Sequence, residues 1–335
     1  MAQVLTIILN WRTADMTLRA AESALAALEG IPGALVIVDN DSGDGSFARI
    51  SAHVQTQGWD RGPHQVRVLQ SGRNGGFGAG NNIGIRAGLP DGRRPDYVYL
   101  LNSDAFPEPG AIRALLDHLE AHPDHGMAGS LILDEGGTAH RTAFRFPSIA
   151  GEFEANARTG PISRLLRNRI VAQPLPAGMA CVDWLAGASL MIRSPVLQRI
   201  GLFDETFFLY FEETELCHRA VTAGWPCAFV PASRVTHIGS VSTGKKHWAR
   251  IPRFWLDSRL YYFTKVHGRR YAALATLSAV AGGLLWRARR LIQRKEPGDP
   301  PLYLTDLTLH AVRAATGAPR WTPPAPPAPQ EQREC

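Results

Sequence analysis

Residues 34–46 read ALVIVDNDSGDGS. Ala34–Asp39 is a short apolar run rich in β-branched residues, the pattern of a strand buried on both faces. The polar cluster after it, Asp39 to Ser46, turns the chain towards a helix. Asp44 or Ser46 suits the cap of that helix, but neither accounts for an acid at position 39, where the apolar strand ends. In open parallel sheets ligands bind outside the carboxyl ends of the strands. Asp39 is therefore either a turn residue or a carboxylate that accepts hydrogen bonds from a ligand.

The flanking sequence repeats the motif. Val4–Asn10 and Gln65–Gln70 read as further strands, Tyr97–Leu101 (YVYLL) as a fourth and Gly126–Leu133 as a fifth. Asp15–Leu28 carries Leu18, Ala21, Leu25 and Leu28 at helical spacing. A second helix is expected at Pro109–His122, with Pro109 in its first turn, where a missing N–H costs nothing. Strands separated by helices predict right-handed crossovers and a mostly parallel sheet flanked by helices. Asp134–Ala180 reads as loops and a short helix. Order resumes at Val182–Arg193, followed by helices from Ser194 and over Glu212–Ala223 and a strand at Cys227–Val230.

Four further segments carry polar groups where a ligand would lie. Asn74–Asn82 (NGGFGAGNN) has four glycines in six residues, so a backbone loop there could approach a nucleotide closely. It matches neither the dinucleotide fingerprint nor the Walker A loop. The fourth strand runs into Asn102-Ser103-Asp104. Residues at i and i+2 of a strand point the same way, so Asn102 and Asp104 can reach one point. A carboxylate beside phosphate oxygens is a common way to hold Mg²⁺ or Mn²⁺; a turn before Pro107 is the alternative. Glu212, Glu213 and Glu215 open a helix, where the macrodipole favours acids, and the aromatic residues before them could desolvate one. Arg219 can pair with Glu215 at i+4, leaving Glu212 and Glu213 to face a ligand. A carboxylate of raised pKa can then act as a general base. His237, among Gly and Ser residues on an expected loop, is either structural or a second metal ligand.

Composition bounds these readings. The chain has 335 residues, enough for one large domain or two modest ones, with 45% hydrophobic and 20% charged residues, ordinary for a protein with a packed core. Its four cysteines form no CxxC pair, so neither a zinc site nor a disulfide framework is indicated. No basic region precedes the first strand, unlike a signal peptide, and a reducing cytoplasmic setting is expected. The net charge of +6 is local: Lys245–Lys295 holds thirteen Lys and Arg against Asp257 alone. That favours one surface meeting something anionic over a nucleic-acid coat, and no nucleic-acid partner is expected. Within it, Tyr271–Trp286 is apolar and flanked by arginines, 16 residues where a bilayer span needs about 20. It reads as a packed helix or an interfacial anchor.

The ordered segments VDNDSGDGS, NGGFGAGNNIGI, YVYLLNSDAFPEPGAI, WLAGASLMIRSPVLQRIGLFDETFFLYFEETELCHRA and THIGS resemble family 2 glycosyltransferases with a GT-A fold, most closely the bacterial rhamnosyltransferase-type branch. The resemblance covers roughly residues 3–245 and implies three regions: a GT-A domain at 1–244, a basic helical region at 245–317 with possible membrane contact through 245–295, and a Pro-rich disordered tail at 318–335. It implies a dTDP- or UDP-sugar donor contacted by Asn10, Asp39, Asn40, Gly76, Phe77, Asn81, Asn102, Ser103 and Asp104. Trp184, Gly187 and Ala188 are expected to line the donor and acceptor pocket. Asp104 matches the last acid of the D-x-D metal motif and His237 a histidine that joins the metal in some members, so Mg²⁺ or Mn²⁺ is the expected cofactor. Glu213 matches the general base, with Glu212 competing. Asn102 stands where the motif has its first acid, and Glu213 is one methylene longer than the usual Asp. The implied activity is inverting transfer of a sugar, best L-rhamnose from dTDP-rhamnose, to a carbohydrate or lipid-linked acceptor in polysaccharide, cell-wall or glycolipid synthesis. The expected place is the cytoplasmic face of the inner membrane, with a homodimer left open. The alternatives are a non-catalytic sugar-binding protein and a sugar nucleotidyltransferase. The second is disfavoured because Trp11-Arg12-Thr13, without glycines, follows the first strand.

Overall fold

Apolar runs become strands, and the polar residues that end them line one edge of the sheet. The computed structural model describes residues 2–239, 248–296 and 299–317. The amino-terminal half alternates β1 (Val4–Asn10), α1 (Ala14–Ala27), β2 (Gly33–Asp39), α2 (Ser46–Thr56), β3 (Val66–Gln70), α3 (Gly76–Ala87) and β4 (Tyr97–Asn102). Then follow β5 (Ala105–Pro107), α4 (Ala111–Ala121), β6 (Met127–Leu133), β7 (Ala143–Phe144), α5 (Ile149–Ala157) and α6 (Gly160–Leu165). β8 (Ala180–Val182), β9 (Trp184–Leu185), β10 (Ser189–Arg193), α7 (Ser194–Ile200), α8 (Glu212–Thr222) and β11 (Cys227–His237) complete the α/β part.

Among the described residues the main sheet runs β3-β2-β1-β4-β10-β6-β11-β5, with β8 beside β11. β1 to β4 pair in parallel. β10 is antiparallel to both neighbours, β4 and β6, so the expected parallel order breaks at this strand. Both faces are covered. One apolar layer packs Ala20, Ala24, Ala27, Ile50 and Leu115 of α1, α2 and α4 on the sheet. The other packs Leu197, Leu216 and Ile83 of α7, α8 and α3.

Four local expectations change. Asn74–Asn82 is not a loop, because Gly76 opens α3. A Cβ on Gly80 would meet Leu9 and one on Gly84 would meet Ile7, so these glycines let the helix lie close on the sheet. β11 is longer than its apolar start: it passes Pro231 through an irregularity between Val230 and Arg234 and ends at His237. His237 is therefore a strand residue. Pro109 lies outside α4, whose cap is Gly110 in the left-handed region. The cap of α2 is Gly45, and Asp44 Oδ1 accepts from Ser46 N at 3.0 Å.

The carboxyl-terminal helices are α9 (Arg253–His267), α10 (Arg269–Gln293) and α11 (Tyr303–Ala315). They dock on the α/β part rather than standing apart. Phe207 packs with Tyr262, Phe263, Ala272 and Ala275. Arg259, fully buried, donates to Glu152 Oε2 on α5 at 2.7 Å and to Thr276 Oγ1 at 3.2 Å. α10 lies against α5 so closely that a Cβ on Gly282 would meet the Phe153 carbonyl. The expected boundary at 244/245 and the tail at 318–335 lie outside the described residues. No helix among the described residues is long and apolar enough to cross a membrane.

Candidate active site

The carboxyl ends of β1, β2 and β4 stand in register, Asn10 beside Asp39 and Leu9 beside Asn102. Asn10 Nδ2 donates to Asp39 Oδ1 at 2.6 Å, and the Ser42 hydroxyl donates to the same oxygen at 2.6 Å. Ser42 N donates to Asp39 Oδ2 at 3.1 Å. Thr17 Oγ1 and Thr13 Oγ1 donate to Asn10 Oδ1 at 2.7 and 3.2 Å. Arg12, in the left-handed region, closes the knot by donating from N and Nε to Ser42 Oγ and O, both at 3.0 Å. Asp39 is thus first a buried organiser of the strand ends. A carboxylate has about four acceptor positions, so Oδ2 keeps capacity for a ligand donor. Asn40 Nδ2 donates to Asn74 Oδ1 at 2.9 Å and Gly76 O at 3.2 Å, while its buried Oδ1 has no partner among the described residues. Arg12, Thr13 and Ser42 carried no signal in the sequence beyond being polar residues after a strand.

α3 delivers Phe77 to the site. Phe77 N donates to Phe208 O at 3.0 Å, and its ring meets Phe203 edge-on at 5.9 Å. Asn81 is buried and spends its amide on Phe77 O, within its own helix. Asn82, which sequence reasoning passed over, exchanges bonds with the Phe203 backbone at 2.9 and 3.1 Å. It holds α3 to the segment that leads into α8.

Asn102, Asp104 and His237 converge, by a different route from the one expected. β4 ends at Asn102, and Ser103-Asp104 is a turn. β5 then pairs with the end of β11, Ala105 opposite His237. This sets His237 Nε2 at 3.0 Å from Asp104 Oδ1 and 3.3 Å from Asn102 Nδ2. Ser103 Oγ lies 3.2 Å from Thr13 Oγ1, which can accept its proton, joining this corner to the Asp39 knot.

Helix α8 brings Glu213 to the same region. Tyr210 and Phe211 both have positive φ, 69° and 71°, immediately before Glu212, a strained entry of the kind that clusters at functional sites. Glu215 is held by Arg219 at 2.8 Å, as its spacing predicts, and also by Lys265 at 2.7 Å. Glu212 is only 2% exposed, and its Oε2 has no hydrogen-bond partner among the described residues. Burial, followed by the charge of Glu213, pushes its pKa well above the usual carboxylate range. Glu213 is half-buried. A Cβ on Gly187 would lie 3.0 Å from Phe77 Cζ and 3.9 Å from Glu213 Cβ, so the missing side chain keeps open the space between them. Ala188 O accepts from Asn102 N at 3.1 Å. The short segment at Gly187-Ala188 therefore touches both the acid helix and the Asn102 corner. Trp184 stacks on Phe144 at 4.1 Å and donates to Arg145 O at 2.9 Å, which buttresses that segment from outside.

The donor set at Asp104 and His237 fits a divalent cation. Ligands 2.0–2.1 Å from an octahedral ion stand about 3 Å apart, and this oxygen and nitrogen are 3.0 Å apart. A divalent ion held there would take its other oxygen ligands from a nucleotide diphosphate and water.

A sequence profile described as glycosyltransferase-like family 2 matches residues 2–254. The chain belongs to this glycosyltransferase family. It is 33% identical over 229 residues to N-acetylglucosaminyl-diphospho-decaprenol L-rhamnosyltransferase of Mycobacterium tuberculosis, covering 64% of this chain and 69% of that one. It is 25% identical over 193 residues to the rhamnosyltransferase WbbL of Escherichia coli, covering 57% and 70%. Among solved structures, the mannosyltransferase PcManGT of Pyrobaculum calidifontis, in complex with GDP-Man and Mn²⁺, aligns with a TM-score of 0.54 at 13% identity, over 94% of this chain and 86% of that one. GalNAc-T7 with UDP, GalNAc and Mn²⁺ aligns with a TM-score of 0.52 at 15% identity, over 96% and 58%. The architecture is the GT-A fold with a carboxyl-terminal helical extension, as the sequence motifs implied.

Proposed function

We propose that this glycosyltransferase is metal-dependent and inverting, and that it moves L-rhamnose from dTDP-rhamnose to a hydroxyl of a lipid-linked carbohydrate. The observation that carries the reading is the Gly187-Ala188 segment, which joins the Glu213 end of α8 to the Asn102–Asp104–His237 corner. A base and a diphosphate-binding corner on either side of one open position suit a single in-line displacement. The names of the mycobacterial and Escherichia coli relatives support rhamnose, and the mycobacterial one supports an acceptor on a polyprenyl diphosphate.

In this mechanism Asp39, Asn40 and the Asn10 knot orient the nucleoside, and Asp104 and His237 would hold Mg²⁺ or Mn²⁺. A bound divalent ion would neutralise charge on the leaving diphosphate. Glu213 takes the proton from the acceptor hydroxyl as its oxygen attacks the anomeric carbon from the opposite face. Burial raises the pKa of Glu212, so the base role falls to Glu213. Water exclusion falls to Phe77, Phe208 and Tyr210. The arginine-flanked outer face of α10 would rest on the cytoplasmic face of a membrane, where such an acceptor is held.

The test is a thermal-shift screen of UDP-, GDP- and dTDP-sugars with Mn²⁺, followed by transfer to a short polyprenyl-diphosphate glycan. The expected outcome is stabilisation by dTDP-rhamnose above the other sugars and an inverted anomeric product. Preference for a GDP- or UDP-sugar would overturn the rhamnose assignment, and a retained anomeric configuration would overturn the mechanism.

A further inference from the structure

Three histidines gather at the opposite edge of the sheet from the active site. His118 is in the last turn of α4, His122 caps that helix, and His125 lies in the turn before β6. β6 runs in the same direction as β4, because β10 is antiparallel to both. The start of β6 is therefore far from the carboxyl ends that carry Asp39 and Asn102. One ligand nitrogen from each histidine lies within 4.8 Å of the others.

The hydrogen bonds around the rings decide which nitrogens can carry lone pairs, and the His122 ring, stacked on His118 at 4.3 Å, must turn to bring its own to the centre. His122 Nδ1 is 2.9 Å from the His118 carbonyl. A carbonyl only accepts, so Nδ1 carries the proton and Nε2 the lone pair. His125 Nε2 faces Cys181 Sγ at 3.7 Å and the Asp124 carboxylate at 4.0 Å. That surrounding favours a proton on Nε2 and a lone pair on Nδ1. His125 Nδ1 is 2.9 Å from His118 Nε2, so one proton must lie between these two nitrogens. Backbone carbonyls and carboxylates that fix the outer nitrogen are what orient metal-binding imidazoles.

The cluster is also held rigidly. Arg193 donates to His125 O at 2.8 Å, to His122 O at 3.3 Å and to Leu119 O, fixing the turn between α4 and β6. Burial, with the neighbouring His122 and His125, lowers the pKa of His118 to about 4, and burial also lowers that of His125. Neutral imidazole is the form that binds metal. The carboxyl end of a helix favours positive charge.

We propose that His118, His122 and His125 form a second metal site, for a borderline divalent cation of the Zn²⁺ type. Imidazole donors select Zn²⁺, Cu²⁺ or Ni²⁺ over Mg²⁺, which prefers oxygen. The ion takes the place of the proton between His118 and His125, that proton moving to His118 Nδ1, with water in the fourth position. It staples α4 to the start of β6 and is separate from any ion at Asp104. The inference does not rest on the proposed transfer reaction.

The experiment is titration calorimetry of the full chain, free of any affinity tag and stripped with chelator, with ZnCl₂ as the probe. The His237→Ala protein removes the other candidate ligand set, and one Zn²⁺ per chain is expected to remain in it. His122→Ala and His118→Gln should each weaken this binding at least about 10-fold and abolish the rise in unfolding temperature that Zn²⁺ gives the parent. Circular dichroism of each variant separates lost binding from lost folding, and Co²⁺ in place of Zn²⁺ should show the absorption of a tetrahedral site. No stoichiometric Zn²⁺ in the His237→Ala protein, or unchanged affinity in folded His122→Ala and His118→Gln proteins, would overturn the proposal.

Discussion

His237 Nε2 lies 3.0 Å from Asp104 Oδ1, although the two residues are 133 positions apart. Their meeting is enforced by the backbone. β5 pairs with the end of β11, and Ile238 N donates to Asp104 O at 3.1 Å. If this pair holds the donor's cation, Asp104→Ala should abolish the gain in donor affinity that Mn²⁺ confers. His237→Ala should reduce it by about 10–100-fold, the worth of one charge-assisted contact. Calorimetry of donor binding with and without Mn²⁺ reads both. Full metal dependence in Asp104→Ala would place the ion elsewhere.

Glu212 and Glu213 are adjacent in the chain but differ in surroundings, and that should separate them. Glu213→Gln should keep donor affinity and lose about 10²–10⁴-fold in turnover, the usual contribution of a positioned base. Glu212→Gln mimics the neutral form that burial already favours, so turnover should change little. Its effect should appear in stability. A carboxyl whose pKa is raised on folding binds more protons in the native state, so stability falls as pH rises from its unfolded pKa of about 4.3 towards the folded value. Glu212→Gln removes that loss. It should match the parent in unfolding temperature near pH 4 and exceed it increasingly towards neutral and higher pH. Equal unfolding temperatures at pH 8 would show that Glu212 is not a buried neutral acid.

The strand ends were legible because β1, β2 and β4 are buried on both faces, which writes them as unbroken apolar runs closed by Asn10, Asp39 and Asn102. Strand direction was not, since SLMIR reads the same in either sense and only pairing makes β10 antiparallel. The far end of β11 was hidden by Pro231, which lacks a ladder donor, and with it the ordered position of His237. Asn74–Asn82 misled for the opposite reason. Glycine lowers helix propensity, yet α3 needs Gly80 and Gly84 to clear Leu9 and Ile7. The pairing of Glu215 with Arg219 followed from spacing alone. Its second partner, Lys265, comes from α9 and could only be seen in the fold.

Gly76 tests that packing directly. It has φ +86°, and a Cβ there would lie 1.8 Å from the Phe208 carbonyl oxygen. Gly110 has nearly the same φ, +84°, with nothing within 4 Å. Gly110→Ala should cost about 1–2 kcal/mol, the left-handed penalty alone. Gly76→Ala must also displace the backbone ahead of α8 and should cost about 3–5 kcal/mol, with loss of donor binding as Phe77 shifts. Urea unfolding of the two variants gives the difference. Equal costs would mean that the α3–Phe208 contact is not fixed in solution.

The outer face of α10 bears on where the enzyme works. Gly282 against Phe153 and Gly283 against Leu304 fix the rotation of the helix, leaving Leu274, Leu277, Leu284, Leu291 and Ile292 exposed, the last three by 58%, 74% and 83%. No charge interrupts the sequence between Arg270 and Arg287, while Arg269, Arg270, Arg287, Arg289, Arg290, Arg294 and Lys295 lie at its two ends. An apolar strip with cationic ends suits the boundary between headgroups and acyl chains. Because these leucines touch solvent rather than the core, a Leu277→Glu, Leu284→Glu double variant should unfold at the parent's temperature. Burying two leucines is worth about 3–6 kcal/mol, so the variant should bind phosphatidylglycerol vesicles at least about 100-fold more weakly. Co-sedimentation at low and high salt measures this. If the parent fails to pellet at low salt, the membrane reading is wrong. If the parent is instead a dimer in solution and the variant a monomer, the strip belongs to a second copy of the chain.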